Sequence, residues 1–129
     1  MEFVAIVSVL AVLEYAYFGI LVGRARAQYG VKAPAITGHE VFERYFRVHQ
    51  NTLEVLVVLM PSMWLFARYV SPTWAAILGA VYLVGRVVYL RSYVADPAKR
   101  SAGFGLSMLP VLAMAIGALI GAVSTLVRG

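Results

Sequence analysis

The chain contains 129 residues, of which 62% are hydrophobic and only 13% are charged. A soluble domain of this size could not bury so much apolar surface, so the composition excludes an ordinary cytosolic enzyme, a disordered chain and a nucleic-acid-binding domain. The net charge is +5, and the absence of cysteine excludes disulfides, thiolate metal sites and a cysteine nucleophile.

Four long apolar runs predict an all-α membrane protein, in which one domain over residues 1–129 forms a four-transmembrane-helix bundle. The spans are predicted at residues 3–23, 53–70, 73–93 and 102–127. The runs are continuous rather than alternating, and four strands cannot close a barrel, so helices are the remaining way to satisfy the backbone in lipid. The first run is too long for the core of a signal peptide, and we expect it to be a span.

Local signals predict where the helices begin and end. Thr37, followed three residues later by Glu40, is typical of a capping box and predicts the start of the second helix. Ser71-Pro72 predicts a tight turn with the proline at the first position of the third helix. Asp96-Pro97 predicts that the third helix ends near Ala95.

The distribution of basic residues predicts the orientation in the membrane. The loop between the first two spans and its flanks carry five of them: Arg24, Arg26, Lys32, Arg44 and Arg47. The end of the third span and the loop after it carry three more: Arg91, Lys99 and Arg100. The positive-inside rule places both loops in the cytoplasm and both termini outside. A bacterial inner membrane suits the short loops, although an internal eukaryotic membrane would give a similar pattern.

Polar residues form a stripe on each of two helices that run antiparallel. The second helix carries four at spacings of three, four and three: Arg44, Arg47, Asn51 and Glu54. The third helix carries three at spacings of three and four: Arg86, Tyr89 and Tyr93. Each spacing puts its residues on one helix face, and Arg100 follows just beyond the third helix. Because charged groups at membrane depth are costly and usually functional, we expect both stripes to face a common crevice at the cytoplasmic edge.

The chemistry of these stripes indicates a small anionic ligand. Several arginines favour carboxylates held in forked hydrogen bonds. Glu54 among them predicts either an internal ion pair or a ligand ammonium. A small zwitterion with more carboxylates than amines would fit, and glutathione is such a molecule.

Three segments resemble one known family, the membrane-associated proteins in eicosanoid and glutathione metabolism (MAPEG). The segment from Phe42 to Glu54 is similar to its signature, and Arg86 to Tyr93 is similar to its second motif. Residues 97–101 resemble the loop that carries a thiol-activating arginine in that family. The combination at these spacings is specific, whereas either motif alone would be weak.

The resemblance implies a homotrimer of four-helix subunits that binds glutathione between neighbours, with no metal. One subunit would contribute Arg47, Asn51, Glu54, Tyr89 and Tyr93, and the adjacent subunit Arg26 and His49. Arg86, on the stripe of the two tyrosines, is expected in the same glutathione-binding set. Arg100 would be the catalytic residue that favours the thiolate, which would conjugate lipophilic electrophiles or reduce lipid hydroperoxides.

Other interpretations of these residues stay open at this point. Arg86 could form a buried structural pair with Glu14 or Glu54, and Arg44 could pair with Glu40 on the helix surface. His49, as a lone histidine that points away from the polar stripe, could be a packing residue. For the whole protein, the alternative is a non-catalytic lipid-binding scaffold similar to the 5-lipoxygenase-activating protein.

Overall fold

The computed structural model describes all 129 residues, and it confirms the predicted all-α bundle. Its four helices are α1 (Glu2–Tyr29), α2 (Glu40–Tyr69), α3 (Pro72–Ala95) and α4 (Ser101–Arg128). A short 3-10 turn, Pro97–Lys99, joins α3 to α4. All four helices are long and apolar enough to cross a membrane.

Two helices extend well beyond the predicted spans at the crevice end of the bundle. Helix α1 continues past the predicted span end at residue 23 to Tyr29, and α2 begins at Glu40, before the predicted span start at residue 53 and close to the helix start predicted from Thr37 and Glu40. In this region Val22 and Ala25 of α1 pack with Phe42 of α2 in a small separate core. Hydropathy detects only the lipid-spanning part of a helix, whereas packing of an amphipathic face continues the helix outside it.

The capping box predicted from Thr37 and Glu40 is wrong. His39 takes the extended conformation at the N-cap, and its Nδ1 accepts a hydrogen bond from the Val41 N–H at 3.1 Å. The carboxylate of Glu43 accepts from the Gly38 N–H at 3.2 Å. Two backbone N–H groups at the start of α2 are therefore bound by side chains, as in a capping box. The side chains are those of His39 and Glu43 rather than Thr37 and Glu40.

Both ends of α3 lie where the sequence predicts them. The Ser71 hydroxyl accepts a hydrogen bond from the Trp74 N–H at 3.2 Å, and Pro72 is the first residue of the helix. The helix ends at Ala95, and the Asp96 side chain then caps the following 3-10 turn. These signals are local, so they do not depend on how the bundle packs.

Glycines let α4 approach α3 closely beside the crevice. A Cβ added at Gly103 would collide with the backbone of Tyr89, and one at Gly85 would collide with the backbone of Ser107. Backbone atoms cannot move aside as the end of a flexible side chain can. The close approach therefore fixes the start of α4 against the end of α3.

We predict that Gly103→Ala lowers the thermal midpoint of the protein in detergent. The added methyl has to push two backbones apart, and overpacking of this kind costs about 1–3 kcal/mol. Gly105→Ala is the matched control, because a Cβ there meets nothing within 4 Å. In that control alanine should keep or slightly raise the midpoint. Equal midpoints for the two variants would contradict the close packing of α3 and α4.

Candidate functional site

A polar cavity lies where the start of α2, the end of α3 and the start of α4 meet. Its volume is about 430 Å³, within the range of roughly 300–1,000 Å³ that is usual for small-molecule sites. Six residues line it: Arg47, Asn51, Tyr89, Tyr93, Arg100 and Phe104. Five of the six were predicted from the two polar stripes and the loop after the third helix.

Helical spacing positions the walls of this cavity. Arg47 and Asn51 lie one turn apart on α2. Tyr89 and Tyr93 lie one turn apart on α3, with ring centroids 5.6 Å from each other. Phe104 contributes a third aromatic ring from α4, 6.0 Å from that of Tyr89.

The electrostatics of the cavity favour an anion. Arg47 and Arg100 contribute two positive charges to its wall, and neither forms an ion pair. The Arg100 Nη1 donates only to the carbonyl oxygen of Pro97, at 3.0 Å. Helix α4 begins directly after Arg100 and has no side-chain cap, so the positive end of its dipole adds to the charge there.

Arg86 lies behind the cavity wall rather than in it. Its side chain is fully buried, with 0% exposure. Its Nη1 donates to Asn51 Oδ1 at 2.9 Å and to Thr52 Oγ1 at 3.1 Å. Its Nε and Nη2 donate to Ser107 Oγ at 3.2 and 3.1 Å. Arg86, which was expected among the glutathione-binding residues, therefore does not line the cavity of this chain.

The alternative for Arg86, a buried ion pair with Glu14 or Glu54, is wrong. The protein contains two ion pairs, and neither includes Arg86. All of its hydrogen-bond acceptors are neutral side-chain oxygens.

Besides Arg86, three of the predicted ligand-binding residues lie outside the cavity of a single chain. Glu54 is exposed on the surface of α2, one turn beyond Asn51. Arg26 donates to the carbonyl oxygen of Ala35 at 2.6 Å. The His49 ring stacks against Tyr15 of α1, with centroids 4.3 Å apart, and so faces away from the cavity. Because the resemblance assigns Arg26 and His49 to the adjacent subunit, their distance from this cavity is expected.

Arg44 ties α2 to the end of α3. Its Nη2 donates to the Glu40 carboxylate at 2.7 Å, which confirms the surface pair suggested by the sequence. Its Nη1 also donates to the carbonyl oxygen of Val94 at 3.0 Å, a contact that the sequence did not predict. The carbonyls in the last turn of a helix lack intrahelical partners, so Arg44 satisfies one of them.

Three residues at or behind the site were not predicted from the sequence. Phe104 lines the cavity one turn after Arg100, and that helical spacing was the available signal. Thr52 and Ser107 hold Arg86 from behind. Both hydroxyls also bond to a carbonyl of their own helix four residues earlier, which makes them inconspicuous in an apolar span.

We predict that Arg44→Ala lowers the stability of the protein by about 1 kcal/mol, because the last turn of α3 loses a charged donor. Thermal unfolding in detergent measures the effect. Arg24→Ala is the control, since Arg24 is exposed and has no side-chain hydrogen bond. An unchanged midpoint for Arg44→Ala would show that the contact between α2 and α3 contributes nothing.

Comparison with known proteins identifies the family to which this chain belongs. Residues 4–120 match the model of the MAPEG family. Human microsomal glutathione S-transferase 2 is 39% identical over 116 residues, which cover 89% of this chain and 79% of the relative. Guinea-pig leukotriene C4 synthase is 36% identical, with 90% of this chain and 74% of the relative covered. A protein of Synechocystis described as uncharacterised is 50% identical, with 90% of this chain and 85% of the relative covered. The chain is an integral membrane protein that belongs to the MAPEG family.

Proposed function

We propose that this protein is a membrane-bound glutathione transferase, which joins the glutathione thiolate to lipophilic electrophiles and also reduces lipid hydroperoxides. The observation that carries the proposal is the cavity with two unpaired arginines, one amide and two tyrosines. The similarity to a microsomal glutathione S-transferase and a leukotriene C4 synthase supports it.

Each polar group of the cavity suits one part of glutathione. The guanidinium of Arg47 can hold a carboxylate in a forked pair of hydrogen bonds. The Asn51 amide and the hydroxyls of Tyr89 and Tyr93 can bond to the peptide groups while their apolar parts exclude water. The cavity contains no carboxylate that would repel the two ligand carboxylates.

Arg100 is the residue to which we assign the chemical step. A cation beside a thiol lowers the thiol pKa and so raises the fraction of thiolate, which is the nucleophile. The thiol proton passes to water. In transfer, the sulfur forms a bond to an electrophilic carbon and the leaving group departs with its electron pair, or an epoxide opens and its oxygen takes a proton.

Reduction of a hydroperoxide uses the same thiolate. The sulfur attacks the terminal oxygen, the O–O bond breaks, and the alkoxide takes a proton to become an alcohol. The sulfenic acid of glutathione then reacts with a second glutathione to give the disulfide and water. Because both reactions begin with the thiolate, one cavity can serve both.

The proposal includes assembly as a homotrimer, in which neighbouring chains complete each site. Glu54 would then pair with the ligand ammonium, and Arg26 and His49 would come from the adjacent subunit. We place the basic loops in the cytoplasm of a bacterial inner membrane, where glutathione reaches the cavity from water. The lipophilic partner would enter sideways from the lipid.

Titration calorimetry with glutathione in detergent tests the proposal, together with the ultraviolet absorbance of the thiolate. We expect the parent protein to bind glutathione and to show thiolate absorbance. Arg100→Ala should lose that absorbance and the conjugation activity while it keeps much of the binding. Lys99→Ala, at the neighbouring and also exposed position, is the control and should keep both the thiolate absorbance and the conjugation activity.

Two results would contradict the assignments. If the parent protein does not bind glutathione, the non-catalytic lipid-binding scaffold becomes the better interpretation. If Arg100→Ala conjugates a model aryl halide at the parent rate, Arg100 is not the thiol-activating residue.

We predict that Glu54→Gln weakens glutathione binding by roughly 1.5–3 kcal/mol, the value of a hydrogen bond to a charged group. The loss arises because the ligand ammonium has no counter-charge. Calorimetric titration measures it, and Glu2→Gln at the opposite end of the bundle is the control. An affinity equal to that of the parent would remove Glu54 from the site.

A further inference from the structure

Arg86 is a charged residue whose side chain is not exposed to solvent. It does not line the cavity, but it contacts residues that do. Its guanidinium makes four hydrogen bonds, to Asn51, Thr52 and Ser107. These acceptors belong to α2 and α4, while Arg86 itself belongs to α3. One side chain therefore joins the three helices whose ends form the cavity.

Two of the residues that contact Arg86 also line the cavity. Asn51 accepts from Nη1 through Oδ1 at 2.9 Å. The guanidinium carbon lies over the Tyr89 ring, 4.3 Å from its centroid. At that distance a cation–π interaction holds the two planar groups together, and it is stronger away from water.

The contact with Arg86 fixes which end of the Asn51 amide is available. An asparagine amide presents an acceptor oxygen on one side and a donor nitrogen on the other. Because Arg86 can only donate, it binds the oxygen, and this leaves the Asn51 amino group as the free end. The cavity therefore gains a donor that suits a carboxylate or peptide carbonyl of the ligand.

The position of Tyr89 depends on the same guanidinium. Tyr89 lines the cavity but is only 5% exposed, so most of its ring is packed against neighbouring residues. Removal of the Arg86 guanidinium would leave the Tyr89 ring without its cation–π partner and the Asn51 amide oxygen without its hydrogen-bond donor. Two hydroxyls that do not line the cavity anchor the guanidinium: Thr52 accepts from Nη1, which Asn51 shares, and Ser107 accepts from Nε and Nη2.

We propose that Arg86 is the positioning residue of this cavity, which holds the Asn51 amino group and the Tyr89 ring in place for glutathione without touching the ligand. The inference rests on the proposed function, because glutathione is the ligand whose binding is measured. It differs from a general packing role in that its effect passes through named cavity residues.

A double-mutant cycle between Arg86 and Asn51 tests this coupling, with calorimetric titration of glutathione as the measurement. Arg86→Gln in the parent should weaken binding about tenfold, the factor that corresponds to one lost hydrogen bond. In the Asn51→Ala background, where the positioned amide is already gone, the same change should cost less than about threefold. Arg91→Gln, exposed on the same helix, is the matched control and should leave the affinity unchanged.

Ser107→Ala provides a second route if Arg86→Gln does not fold. It removes the acceptor of Nε and Nη2 and leaves Arg86 itself in place. We expect it to weaken binding in the parent and to have little further effect in the Asn51→Ala background.

The outcomes separate this inference from the proposed function. If the parent binds glutathione and the variants cost the same in both backgrounds, or cost nothing, Arg86 is a packing residue and the inference is overturned. If the parent does not bind glutathione, the proposed function fails first and the inference fails with it.

Discussion

A guanidinium in the interior of a membrane bundle has to find its hydrogen-bond acceptors within the protein, because hydrocarbon offers none. Arg86 meets this requirement with oxygens from two other helices. The need to satisfy one buried charge therefore constrains how α2, α3 and α4 meet. Since the cavity lies at that meeting point, the constraint on packing also determines the shape of the site.

Four arginines in or near the cavity differ in how their charges are satisfied. Arg86 is fully buried and is held by neutral oxygens. Arg44 lies at the edge and pairs with a carboxylate and with the last carbonyls of α3. Arg47 and Arg100 line the cavity and have no carboxylate partner. Of these four residues, only Arg47 and Arg100 combine a place in the cavity wall with a charge that no carboxylate neutralises.

Local features of the fold could be predicted from the sequence, and features that depend on packing could not. The turn at Ser71 and the end of α3 at Ala95 were predicted correctly, because each follows from one or two residues. The start of α2 was predicted incorrectly, since the choice between Thr37 and His39 as the cap depends on which residue becomes extended.

The same distinction applies to the site. Helical spacing placed Arg47, Asn51, Tyr89 and Tyr93 on common faces, and they do line one cavity. Arg86 lies on the same face of α3 as Tyr89, one turn away, but it is buried in the packed interior rather than in the cavity wall. Helical spacing alone could not predict this difference, because it does not show where along the helix the cavity ends. Phe104 lies one turn after Arg100, but its side chain resembles every other apolar residue of its span, so its spacing was the only signal that set it apart.

The central claim is that the three helix ends form a binding site for an anionic thiol peptide. An experimental structure of the protein with glutathione bound tests it most directly. The account predicts the peptide within the cavity, with its sulfur beside Arg100 and the Asn51 amide in contact with the ligand while Arg86 stays buried behind it. Glutathione bound elsewhere, or a cavity that stays without ligand at saturating glutathione, would contradict the account.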